Sequence, residues 1–227
     1  MSLEGSLPRL LAALAVGVSA LAGCERSPRP SNPSYMPRPD QPAPRAPETF
    51  RVRFETSRGP FVVEAHRNWS PHGVDRFYQL VSSGFYDGVR FFRVIPGFVA
   101  QFGIHGDPTV AAAWENMVIP DDSVVQSNTR GTISFATAGP NTRTTQLFIN
   151  YRDNLALDRM GFSPIATVIE GMNVVDSLYG GYGDGPPDGR GPDQGRITRE
   201  GNRYLEREFP KLDFIRTARI VDEPRRP

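Results

Sequence analysis

Short apolar runs, cut at regular intervals by Gly, Pro, Asn and Asp, limit the folds open to this chain more than any other feature. From Phe50 onward one long stretch sets its apolar residues at helical spacing. It is Pro71–Ser83, where Val74, Phe77, Tyr78, Leu80 and Val81 recur three and four apart. Ser70 suits the N-cap, Pro71 the first helical position and Gly84 the stop. The other apolar runs read as strands: Phe50–Ser57, Phe61–His66, Gly88–Val94, Phe98–Gly103, Gly131–Ala136, Leu147–Asn150, Phe162–Ile169 and Asp213–Val221. Arg58-Gly59-Pro60 turns the first into the second as a hairpin. A second short helix fits Gly171–Leu178. Short strands so spaced predict an all-β sandwich or barrel, and periodicity alone does not choose between them.

Before Phe50 the chain changes character. Leu10–Ala22 is apolar but too short to cross a bilayer as an ordinary helix. It ends in Leu21-Ala22-Gly23-Cys24, a secretory apolar segment followed by small residues at a cleavage site. The L-A-G-C tetrapeptide resembles a bacterial lipobox, in which the cysteine is lipidated and becomes the new N-terminus. A free cysteine behind an ordinary signal peptide is the other reading, and the residues before the run carry only Arg9 against Glu4. Cys24 is the sole cysteine, so no internal disulfide forms. Glu25–Glu48 holds eight prolines among polar residues. Such a segment buries too little apolar surface to offset its ordering entropy. Extended as polyproline II at about 3.1 Å per residue, it reaches roughly 75 Å. A tether is the first reading, and a docking strip for a proline-binding module is the second. Removing it is expected to leave the folded part nearly as stable. The chain thus divides into a signal peptide (1–23), a tether (24–48) and a folded domain (49–227).

Several function classes are excluded. A net charge of +1 with no basic stripe predicts no nucleic-acid partner. His66, His72 and His105 lack ligand spacing, so no metal is expected. Asp121-Asp122 and the carboxylates from Asp184 to Asp193 read as solvated loop groups. Tyr179–Arg196 is Gly-, Pro- and Asp-rich loop without a G-x-G-x-x-G spacing after a strand. Ser134 and Ser163 lack a nucleophile-elbow context.

What remains is a constellation of another kind. Phe91–Gln101 sets Arg93 and Gln101 eight residues apart among aromatic and aliphatic side chains, and Gln146 stands in a second apolar run. A buried glutamine needs partners. Together they describe a greasy pocket with one fixed positive charge and a few amides. That suits binding and twisting a neutral group; it offers no nucleophile, metal cage or acid–base pair.

The F-x-R-V-I-P-G-F-x-x-Q run of Phe91–Gln101 resembles the cyclophilins, a family of peptidyl-prolyl cis/trans isomerases. The A-G-P-N-T run of Ala138–Thr142, the Q-x-F-I run of Gln146–Ile149 and Glu170–Val175 follow in the family's order. The resemblance covers about Phe50 to Val221. It implies a closed eight-stranded antiparallel barrel capped by two helices, with proline-containing polypeptides as substrates and no cofactor. A monomer is expected. By resemblance, Arg93 contacts the substrate carbonyl and the prolyl nitrogen, while Gln101 and Gln146 hold the arginine and the substrate backbone. Phe98, Val99, Phe148, Leu157 and Phe162 would line the proline pocket, and Ala136, Thr137 and Ala138 match the strand along which substrate lies. Phe92 stands where many members have histidine, Phe162 falls near another histidine of the pattern, and Ala156 falls where cyclosporin-sensitive members have tryptophan. Beyond the family's usual length, Ile197–Phe209 reads as an extra helix after the loop. Two functions follow as expectations. One is a lipid-anchored isomerase in the bacterial cell envelope, facing the periplasm or exterior. The other is a proline-peptide-binding chaperone or scaffold with little turnover.

Overall fold

A computed structural model describes residues 32–38 and 43–222. The expected signal peptide, Cys24 and parts of the expected tether, residues 24–31 and 39–42, lie outside the described residues. Eight strands, β1 (Thr49–Thr56), β2 (Gly59–His66), β3 (Arg93–Ile95), β4 (Val99–Phe102), β5 (Thr132–Phe135), β6 (Leu147–Asn150), β7 (Pro164–Glu170) and β8 (Ile215–Asp222), form one sheet. Its order is β3-β4-β6-β5-β7-β2-β1-β8, and all its ladders are antiparallel. The sheet curls because strands twist. Its inner face gathers Phe50, Val52, Phe54, Phe61, Val63, Phe102, Ile133, Phe135, Leu147 and Ile149 into the main core. Along β1, burial alternates with period two, as a half-buried strand requires.

The expected closed barrel is instead an open, curled sheet. β3 and β8 are its two edges, joined by a lone bridge between Arg90 and Phe214 and by backbone bonds such as Phe91 N–H to Asp213 O at 3.0 Å. The run Gly88–Val94 does not extend as a strand. The chain turns at Gly88, with φ at +75°, and only Arg93–Ile95 keeps a ladder. Phe91 enters the main core while Phe92 enters a second core outside the sheet, so the segment serves two layers.

Among the described residues six α-helices accompany the sheet, where two caps and one extra helix were expected: α1 (Pro71–Ser83), α2 (Pro108–Trp114), α3 (Ala156–Arg159), α4 (Met172–Asp176), α5 (Gln194–Glu200) and α6 (Asn202–Glu208). α1 buries Val74, Phe77, Leu80 and Val81 against the sheet and stops at Gly84 in the left-handed region. The single helix expected over Ile197–Phe209 is broken in two at Gly201, where φ is +63°. A Cβ there would collide with the carbonyl oxygen of Gly106, which accepts from Asn202 N–H.

The proline-rich segment is not all free chain. Pro33–Tyr35 forms one 3-10 turn, Tyr35 and Met36 pack on the main core, and Trp114 Nε1–H donates to Tyr35 O at 2.6 Å. Ala46 is buried, and its N–H donates to Asp75. Average composition concealed these few apolar anchors. Removing Glu25–Glu48 therefore strips packed residues from the core.

Asp122 also departs from the solvated loop group expected of it. Ser70 is the N-cap of α1, yet its hydroxyl makes no cap bond and donates instead to Asp122 Oδ2 at 2.6 Å. The carboxylate, 4% exposed, accepts from His72 N, Gly73 N and Arg143 Nη2, so a distant loop caps the helix. An anion at a helix N-terminus is favoured by the helix dipole. Burial pushes the Asp122 carboxyl up, but these hydrogen bonds outweigh it and hold the group below its ordinary 3.8. A carboxyl so depressed stabilises the fold above its unfolded pKa, and that contribution is lost as pH falls through the folded value. Asp122→Ala should lower unfolding free energy at neutral pH by about 1–3 kcal/mol, since it uncaps α1 and leaves buried Arg143 with Asp121 as its one carboxylate partner. Its stability should then fall less steeply with acid than the wild type's. Urea unfolding at neutral and at acid pH checks both.

Candidate functional site

Arg93 opens β3 and stands opposite Gln101 in β4, Gln101 opposite Phe148 in β6, and Phe148 opposite Ser134 in β5. Directly opposed residues project from the same face of a sheet. These four therefore form a row on the outer face. Their neighbours Val94, Ala100, Ile149 and Ile133 project inward to the main core. Period two separates core from site within the same strands.

Val99, Phe148 and Leu157 form a buried apolar cluster on that outer face, with Phe98, Ala136 and Phe162 against it. Phe148 and Phe162 meet edge to face at 5.5 Å. Polar groups run beside them. Arg93 Nη1 donates to Gln101 Oε1 at 3.2 Å, and Gln101 Nε2 donates to Gln146 Oε1 at 2.9 Å. The guanidinium lies 5.9 Å from the Phe98 ring centre. At the far wall, Ala136 N–H donates to Gln146 O. The A-G-P-N-T run is a tight turn in which Thr142 Oγ1 accepts from Ala138 N–H at 2.9 Å.

All eleven site residues singled out in the folded domain line one cleft of about 510 Å³: Arg93, Phe98, Val99, Gln101, Ala136, Thr137, Ala138, Gln146, Phe148, Leu157 and Phe162. Ala156 sits exposed at the start of α3, outside the lining. No His, Cys or Ser lines the cleft. Among the described residues no cluster of three His, Cys, Asp or Glu is placed to hold a metal. Ser134 is buried and spends its hydroxyl on Asn128. Chemically, the cleft can seat an apolar ring and present hydrogen-bond donors to an amide beside it.

Two groups of residues escaped sequence reasoning. The first is a buried asparagine network. Asn150 Nδ2 donates to Thr132 Oγ1, Asn154 Nδ2 to Asn150 Oδ1 and to Phe98 O, and Asn128 Nδ2 to Asp158 Oδ1 and to Phe162 O. It ties α3 and the Phe162 loop to the sheet and so fixes Leu157 and Phe162. The available signal was Asn150 closing an apolar strand, a polar group that burial obliges to find partners.

The second group comes from the loop before α5. Asp184, Pro186, Asp188 and Gln194 form one rim of the cleft. Asp184 is no solvated loop carboxylate. Its oxygens accept from Arg93 Nε at 2.7 Å and Nη2 at 2.8 Å. The hydrogen bond from Arg93 holds the Asp184 carboxyl below its ordinary 3.8. Nothing local in the sequence marked this aspartate among its neighbours.

With the geometry in place, comparisons with known proteins agree. The family model described as cyclophilin type peptidyl-prolyl cis-trans isomerase/CLD matches residues 51–199. Peptidyl-prolyl cis-trans isomerase B of Escherichia coli is 33% identical over 180 residues, covering 76% of this chain and 99% of that protein. A peptidyl-prolyl cis-trans isomerase of Acinetobacter baylyi is 34% identical over 56% of this chain and 70% of its own length. Among solved structures, a cyclophilin type isomerase of Cryptosporidium parvum superposes with a TM-score of 0.57 at 22% identity, over 78% of this chain and 99% of that one. A second structure of it, determined in the presence of the dipeptide Ala-Pro, gives 0.56 at 23% identity, over 76% and 99%.

Proposed function

The chain belongs to the cyclophilin-type peptidyl-prolyl cis-trans isomerase family, and from that premise we propose that its cleft takes a proline-containing segment and turns the bond before the proline. The chain is an isomerase of this class. Rotation about that bond is opposed by a resonance barrier of about 18–20 kcal/mol. No bond need be made or broken, only the twisted amide bound better than either planar form. Twisting ends conjugation and leaves a lone pair on the prolyl nitrogen. The proline ring sits among Phe98, Phe148, Leu157 and Phe162, and the substrate backbone runs along Ala136–Ala138. Arg93 donates toward the substrate carbonyl and the prolyl nitrogen. Gln101 and Gln146 relay its position along the hydrogen-bonded line from guanidinium to amide.

The observation that carries this reading is one cation, held by Gln101 and Asp184, at the edge of an apolar cluster in a cleft lined by no His or Cys. Arg93→Ala should lower kcat/KM by about 10²–10³, the usual loss for one preorganised donor. Binding of a planar proline peptide should change far less. Arg93→Lys should recover little, because an ammonium lacks the fork. Phe98→Ala should instead weaken peptide binding. NMR exchange on an X-Pro peptide, with circular dichroism to confirm folding, measures these. A folded Arg93→Ala protein with full activity would refute the mechanism.

The place of action is proposed from the N-terminus. Leu10–Ala22 followed by L-A-G-C supports export and lipidation of Cys24, so that the domain works in a bacterial cell envelope on the periplasmic or outer side. Among the described residues no helix is long and apolar enough to cross a membrane. A single acyl chain binds membranes marginally, whereas two or more anchor stably. Mass spectrometry of the mature N-terminus should find cleavage between Gly23 and Cys24 and a multiply acylated cysteine. An unmodified Cys24, or cleavage elsewhere, overturns the anchor.

A further inference from the structure

An arginine carries five N–H donors in a planar fork. In Arg93, Nε and Nη2 each give one to Asp184, and Nη1 gives one to Gln101. Two remain, one on each Nη. Asp184 occupies the side shared by Nε and Nη2, so the uncommitted N–H of Nη2 lies at the outer end of the guanidinium. Without Asp184 the guanidinium would keep its single bond to Gln101 and could pivot about it.

The surroundings of Asp184 are built onto the sheet on both sides of Arg93. Phe92, directly before it, packs in a second core with Ile197, Tyr204, Leu205 and Phe209 from α5, α6 and the turn after them. Val94, directly after it, bridges Gly183, which directly precedes Asp184. β3 is an edge strand, so its outer side is free to take that bridge. Gly185 N–H donates to Asp184 Oδ1 at 2.9 Å, and Gly191 N–H to Asp184 O at 2.7 Å. The carboxylate is therefore held by its own loop, and the loop is held by the residues flanking the arginine it grips. The Phe92 departure from the family's usual histidine finds its place here, since this ring anchors the inserted helices.

We propose that Asp184 is a positioning residue for the isomerisation. Its bidentate grip sets the plane of the Arg93 guanidinium so that the two uncommitted N–H groups face the cleft. This rests on the isomerase reading of the same cleft. Because Asp184 acts through Arg93, it should govern turnover more than peptide affinity. A donor that swings away from the twisted amide no longer stabilises it, while the apolar ring pocket is untouched.

The test compares the full chain with Asp184→Ala, the isosteric Asp184→Asn and the longer Asp184→Glu, using an X-Pro peptide. Asp184→Ala should lower kcat/KM by about 10–100-fold, the scale of a misplaced catalytic group. Peptide affinity from NMR titration should stay within about threefold, a small fraction of the energy of one preorganised donor. Asp184→Glu should restore part of the loss, and in Asp184→Asn the Arg93 Nε–H resonance should move and exchange faster with water. In an Arg93→Ala background, Asp184→Ala should change residual activity little, because a pair acting as one unit is non-additive. Unchanged turnover in folded Asp184→Ala and Asp184→Asn, faster turnover in either, or an equal loss in both backgrounds would overturn the proposal. Should Asp184→Ala fail to fold, Asp184→Asn alone decides. An inactive wild-type chain would count against the isomerase reading itself, a result distinct from active variants.

Discussion

Three of the five N–H groups of Arg93 are spoken for within the folded protein, and the proposed mechanism depends on the two that are left. A guanidinium on a flexible stem has about 2 kcal/mol of rotamer entropy to lose. Here the loss is met in the folded protein rather than at the moment of binding. Asp184 grips one side of the fork and Gln101 one further N–H, with Gln146 behind Gln101. Arg93 and Asp184 are partly exposed, at 22% and 29%, so the pair adds little to stability through charge alone. Its value lies in direction.

That direction is inherited from the sheet. Arg93, Gln101 and Phe148 are opposed across three adjacent strands, and strand alternation sends them outward while Val94, Ala100 and Ile149 go inward. The core that stabilises the fold is thereby the platform of the site. A change of register by one residue would exchange the two faces and bury the arginine. Buried asparagines then bring α3 and Phe162 to the platform's edge. The open edge at β3, in place of a closed barrel, leaves room for the inserted loop to reach Arg93.

Local pattern made much of this legible. The bounds of α1 and β6 follow from apolar spacing, and the residues of the resemblance converge on one cleft. What was not legible depended on distant contacts. Asp184 lies in a Gly- and Pro-rich loop where an aspartate is commonplace, and its partner is 91 positions away. Asp122 likewise serves a helix 50 positions before it. The break at Gly201 required the Gly106 carbonyl to be in view. Tyr35 and Met36 were lost in the average of a proline-rich segment, and only their packing partners distinguish them from free chain.

The central claim is that the cleft works by binding a twisted amide with fixed donors, without proton transfer. No His or Cys lines it, and an arginine keeps its charge across neutral pH. Two-dimensional NMR exchange on an X-Pro peptide, run with the wild-type chain from about pH 6 to pH 9, tests this directly, since that window spans the usual titration of a histidine base. The account predicts cis/trans exchange far faster than the uncatalysed rate and a catalysed rate flat across the window. A catalysed rate that rises or falls with a single ionisation in that range, or no acceleration at all, would contradict it.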